Sequence, residues 1–183
     1  MIDWFQLLYL KTSPLERWIV YLLALTVELT PEEFQATAVR LALVEQNRHK
    51  LCEARQKGDE VLAILQRHAA RRRPLANSDL YRLLHDLSME VILHLMARTT
   101  LDDVRRSIST FVTHLRQVTC LLTGRDLKKM GVPVGPLYAR ILEEIKAARL
   151  NGHAVSREDE VRIVERVWRR EEGRSGRKSG KPS

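Results

Sequence analysis

Apolar positions recur along this chain at helical spacing almost throughout, separated by short segments rich in Pro, Gly, Ser and Asp. Asp3 to Leu10 reads as a short helix, and Thr12-Ser13-Pro14 caps and opens a second that runs to about Leu29. In that second helix Leu15, Trp18, Ile19, Leu22, Leu23 and Val27 wrap most of the circumference, which predicts a central element. Thr30-Pro31-Glu32-Glu33 combines a cap, a proline at the first helical position and first-turn acids, so a helix follows to about Leu43. A longer helical stretch spans Glu45 to Ala70, with an interruption or kink expected near Gly58. Arg71-Arg72-Arg73-Pro74 breaks the pattern, and Ser78-Asp79 and Ser88 start two short helices ending near His85 and Ala97. From Thr100 onward, Val104, Ile108, Phe111 and Leu115 form an amphipathic stripe.

The remainder is more heavily punctuated. Thr123 caps a short helix that Gly131 stops, and Pro133 with Pro136 fixes a tight connection into a further helix that exits at Gly152. Leu137, Ile141, Leu142 and Ile145 make one apolar face; Val161, Val164 and Trp168 make another, opened by a capping-box-like Ser156 and Asp159. No strand alternation and no fixed-period repeat is present. The reading is all-α: a multi-helix body over residues 1–117, a small helical tail unit over 118–171, and a disordered basic C-terminus over 172–183.

Composition narrows the function classes. With 183 residues and 44% hydrophobic content the chain can bury a proper core, and only 5% aromatics leaves Leu, Val, Ile and Ala to build it. The formal net charge of +8 points to an acidic partner, nucleic acid ahead of membrane. The longest apolar run, Ile19 to Leu25, falls far short of a bilayer span, and Asp3 without an early Lys or Arg argues against a secretory signal. Cys52 and Cys120 lack the paired spacing of a zinc site or disulfide framework, which fits a reducing cytoplasm.

One constellation suits phosphate binding. After Gly135 and Pro136, the first turn of the helix presents the backbone N–H groups of Leu137, Tyr138 and Ala139, expected to lack intrahelical partners, at the positive end of the dipole. Gly131 and Gly135 have no side chains to obstruct a nucleic-acid backbone, and Arg125, Lys128 and Lys129 on the preceding helix add charge. Arg162, Arg166 and Arg169 share another helical face and form a second possible phosphate track. Arg71 to Arg73 can contact phosphate or serve as a solvated loop.

The spacing of Thr123-Gly124, Asp126-Leu127, Gly131, Gly135-Pro136, Leu142, Ala148, Leu150, Gly152 and then Ser156-Arg157-Glu158-Asp159-Glu160 resembles the C-terminal tail region of bacterial tRNA nucleotidyltransferases and poly(A) polymerase-like enzymes. Ala139 stands where that family often has glycine. Arg17 to Ala24, Asp79 to Leu84 and Thr110 to Leu122 resemble the helical body that precedes the tail in longer members, including those with phosphohydrolase-like and CBS regions. The resemblance implies tRNA as partner, gripped along its body, and a catalytic head before residue 1 that would use Mg and ATP or CTP. This chain is then expected to be non-catalytic by itself, with no cofactor of its own.

The residues agree with that expectation. The glycine-serine triphosphate loop, the closely spaced metal carboxylates and the nucleotide-selecting "EDxxR" element are all missing from the sequence. Asp102-Asp103 sits at a helix start, where adjacent side chains diverge. His85-Asp86 resembles the metal dipeptide of HD phosphohydrolases without its further ligands, for which only His68, Asp102 or Asp103 could be imagined. The alternative from a different class is a helical protein-interaction or dimerisation module, in which the basic faces serve solubility and the glycine-rich turn is architectural.

Overall fold

The computed structural model describes residues 15–178, with side chains through Glu171. The expected helix from Asp3 to Leu10 and the Thr12-Ser13-Pro14 cap lie outside these residues. Nine α-helices make up the described chain: α1 Arg17–Leu25, α2 Pro31–Arg40, α3 Glu45–Ala70, α4 Asn77–Leu84, α5 Met89–Arg98, α6 Asp102–Thr113, α7 Gly124–Lys129, α8 Pro136–Leu150 and α9 Arg157–Lys178. No strand occurs among them, so the fold is all-α. Two compact units form, Met1–Leu75 with Asp79–Arg116 and Ala76–Ser78 with Gln117–Ser183.

In the first unit, α5 is the central element. It packs on α1, α3 and α6, and Met89, Val91, Ile92, His94 and Leu95 are buried along it. Most of its circumference is apolar, so it must be covered on several sides, and only its end at Ala97 and Arg98 is exposed. The sequence reading assigned this place to α1, which instead buries Val20 and Leu23 while Trp18, Tyr21 and Leu25 face solvent, Leu25 at 85% exposure. Nor does α1 reach Leu29. The Thr26 hydroxyl donates to the Leu22 carbonyl at 2.6 Å, and the Arg55 guanidinium takes the Leu29 carbonyl at 2.6 Å while stacking over the Phe34 ring. A distant arginine on α3 thus fixes the turn that ends α1.

Thr30 and Glu33 form the reciprocal capping box that opens α2. This helix stops at Arg40 rather than Leu43, because Ala42 adopts φ 52° and returns the Leu43 N–H to the Ala38 carbonyl. The interruption expected near Gly58 is absent: α3 runs as one helix through it. A Cβ there would lie 2.8 Å from Val91 Cγ1, so glycine serves the close approach of α3 and α5. Helix α6 starts at Asp102, later than Thr100, and its stripe of Val104, Ile108 and Phe111 is buried, as is Leu115 in the 3-10 turn that follows.

The second unit packs α8 against both α7 and α9 around Leu122, Leu127, Val132, Ile141, Ile145, Ile163, Val164 and Val167. Helix α9 continues to Lys178, past the Glu171 limit expected from composition. Adding residues to an existing helix avoids the cost of nucleation, so a polar, weakly apolar sequence can extend one it could not start.

Candidate nucleic-acid interface

The interface candidate begins at the first turn of α7. The Asp126 carboxylate accepts the Thr123 N–H at 2.9 Å and the Thr123 hydroxyl at 2.7 Å, closing the cap that the sequence indicated. Its other oxygen accepts from Arg157 Nη2 at 2.7 Å, which ties the start of α9 to the start of α7. These hydrogen bonds, led by those from Thr123, hold the Asp126 carboxyl well below the usual carboxylate range. Asp126 is therefore committed elsewhere. Arg125, Lys128 and Lys129 are exposed and have no ion pair among the described residues.

Helix α7 ends because Gly131 adopts φ 82°. The Gly131 N–H reaches the Lys128 carbonyl and the Val132 N–H reaches the Leu127 carbonyl, a closure that requires a left-handed residue at this point. Buried Leu127 and Val132 clamp the turn from inside, and the Tyr138 hydroxyl donates to the Val132 carbonyl at 3.0 Å. A side chain added at Gly131 would meet the Trp168 ring at 3.7 Å. Gly135 differs from Gly131: its backbone is extended, and a Cβ there would meet nothing within 4 Å. Open space thus lies directly before Pro136 and the first turn of α8.

The expected donors at that turn need one correction. The Tyr138 N–H donates to the Gly135 carbonyl at 3.0 Å, so it is already spent. Leu137 is half-buried against the core while Ala139 is exposed. Among the arginines of α9, Arg162 is held by Asp159 at 2.7 Å and Arg169 by Glu165 at 3.6 Å; Arg166 is exposed with no ion pair among the described residues. The carboxylates thus take up most of that second track. Arg125, Lys128 and Lys129, three positions on one face of α7, have no ion pair among the described residues.

A residue the sequence reading passed over holds this unit together. Glu160 is fully buried in α9, and its carboxylate accepts the Leu121 N–H at 3.0 Å, the Leu122 N–H at 2.7 Å and Arg149 Nη1 at 3.0 Å. It thereby fastens the segment entering α7 to both α8 and α9. The signal was present in the sequence: Glu160, Ile163, Val164 and Val167 occupy one helical stripe, so an acid stands at a core position. A buried acid at such a place needs donors, and the chain supplies three.

The metal candidates are accounted for differently. His85 Nε2 lies 3.0 Å from Asp86 Oδ1, Asp86 Oδ2 lies 3.1 Å from Lys57 Nζ, and the Tyr81 ring stacks on His85. Asp102 and Asp103 each pair with the arginine three residues on, at 3.7 Å to Arg105 and 2.6 Å to Arg106. No three His, Cys, Asp or Glu side chains gather to hold a metal ion among the described residues. No helix among the described residues is long and apolar enough to cross a membrane.

Comparison with known proteins gives one informative match. The A-adding tRNA nucleotidyltransferase of Geobacter sulfurreducens is 47% identical over 167 residues, covering 91% of this chain. The chain spans only 19% of that relative's length. No family model and no solved structure matches it.

Proposed function

The chain matches a region of the tRNA nucleotidyltransferase family, and from that premise we propose that it holds the body of tRNA while nucleotides are added at the 3′ end by catalytic residues outside this chain. One observation carries the reading: three uncommitted cations on α7 stand beside a turn whose Gly135 is open to solvent. The cations attract the backbone without reading bases, and the bare turn lets a phosphate oxygen approach the positive end of α8. Asp126 would repel that phosphate, but Arg157 and Thr123 already occupy it. In this reading the chain's part is grip and register, with the reacting groups for nucleotide transfer supplied from outside it.

Salt-dependent binding tests this. Replacing Arg125, Lys128 and Lys129 together by Gln weakens binding to several tRNAs alike and lowers the slope of log affinity against log salt by roughly 0.7 to 0.9 for each phosphate left without its cation. An unchanged slope would remove this surface from the RNA interface. The purified chain with Mg²⁺ should not incorporate labelled ATP or CTP into tRNA; robust incorporation would overturn the division of labour.

A second reading, a helical protein-interaction module, draws on Trp18, Tyr21 and Leu25, which stand exposed at i, i+3 and i+7 on α1. It requires concentration-dependent sedimentation that Leu25→Glu abolishes, with tRNA binding absent.

A further inference from the structure

In the first unit a cavity of about 650 Å³ opens between the end of α3 and the start of α6, and His68, Arg72, Arg73 and Arg106 all line it. Buried Leu65 and Val104 contribute apolar wall. The volume falls within the range of small-molecule sites and leaves room for a phosphate with its sugar. Of the three guanidinium groups in the lining, Arg106 is paired with its one carboxylate, Asp103, at 2.6 Å, which leaves Arg72 and Arg73 to meet an anion. The formal balance is +3 − 1 = +2 with His68 neutral.

Arg72 strengthens the case. It adopts φ 49°, the left-handed conformation that closes a helix and that side chains disfavour. At the corresponding point the chain uses Gly131 at φ 82° after α7 and Gly152 at φ 74° after α8, but Ala42 at φ 52° after α2. After α3 it places an arginine in that conformation, at the cavity wall. Ala42 closes α2 in the same conformation, so the backbone by itself marks no ligand; what Arg72 adds is a cation at the cavity wall. The N–H groups of Arg71, Arg72 and Arg73 occupy the Arg67, Ala69 and His68 carbonyls, and the guanidinium groups beside them offset the remaining negative end of the α3 dipole. An anion at the cavity then meets guanidinium forks, whose planar donor geometry matches phosphate oxygens.

We propose that this cavity binds backbone phosphate of RNA, at a place separate from the α7 surface. The phosphate chemistry follows from the cavity; its assignment to RNA rests on the tRNA reading above. Arg72→Gly is the discriminating variant, because glycine relaxes the backbone while removing the charge. It should melt at or above the wild-type temperature and bind tRNA roughly tenfold more weakly, as expected for losing a charged hydrogen bond. Its salt slope should fall by roughly 0.7 to 0.9, and Arg73→Gln should do likewise. Wild-type affinity and slope in both variants would overturn the cavity while leaving the α7 surface in place. If the wild type binds no tRNA, titration with inorganic phosphate and with ATP distinguishes the sources. Perturbed His68 and Arg106 NMR signals in the wild type, lost in Arg72→Gly, would keep the cavity as a free-phosphate site and sink the tRNA reading. Unperturbed signals would sink the cavity as well.

Discussion

Arg149 Nη1 lies 3.0 Å from Glu160 Oε1, and Glu160 has no solvent exposure at all. The pair joins the end of α8 to the start of α9, and the same carboxylate holds the backbone entering α7. Removing it strands a largely buried guanidinium and two backbone donors together. Glu160→Ala should therefore cost about 3–5 kcal/mol of stability in urea denaturation, and Glu160→Gln less, since the amide retains one acceptor. A loss below about 1 kcal/mol for the alanine variant would mean that water replaces the carboxylate.

The two glycines flanking the Pro133–Val134 turn should separate cleanly. Gly131 at φ 82° closes α7, so Gly131→Ala loses about 1 kcal/mol or more. Gly135→Ala has open space and extended backbone, so its stability stays within about 0.5 kcal/mol of wild type. Any fall in tRNA affinity for the Gly135 variant then reports access rather than unfolding. If one phosphate is shared with Arg125, the Arg125→Ala effect will not add to it. Wild-type affinity in folded Gly135→Ala would reduce the turn to architecture.

Gly58 gives a packing test within the first unit. An alanine gains helix propensity of about 1 kcal/mol but sets a Cβ 2.8 Å from Val91 Cγ1, where overpacking costs about 1–3 kcal/mol. Gly58→Ala should destabilise the wild type yet stabilise a Val91→Ala background. Additive effects in the double-mutant cycle would show that the two helices adjust freely.

Acid should loosen the second unit through its caps. Thr123 and Arg157 hold Asp126 well below the usual range, and the N–H groups of Ser156 and Val155, with the Ser156 hydroxyl, lower Asp159 to about 2. Folded values below the unfolded value of about 3.9 mean that the stabilisation is complete above about pH 4. It drains away as pH falls toward the folded values. Thermal melts of Asp126→Asn and Asp159→Asn should sit below wild type at pH 6; the Asp159→Asn gap should nearly close by about pH 2, while the Asp126→Asn gap, tied to the lower folded value, should have narrowed but still be open there. A gap that persists unchanged at pH 2 would trace the loss to geometry rather than charge.

The all-α class and most helix starts were legible in the residues alone, because both are local. Caps such as Thr30 with Glu33 and Thr123 with Asp126 are set by residues three apart, and the α6 stripe from Val104 to Phe111 follows one helical period. The Gly131 stop was equally legible, being a single left-handed residue. Partners distant in sequence were not. Arg55 ends α1 by taking the Leu29 carbonyl, Gly58 yields space to Val91, and Glu160 finds donors at Leu121, Leu122 and Arg149. The basic residues were readable as residue types, whereas the ion pairs they make were not. Arg162 and Arg169 face carboxylates on their own helix, while Asp126 pairs with Arg157, thirty-one positions away. Periodicity records which face of a helix is apolar; only packing decides what that face meets and which charges remain for a partner.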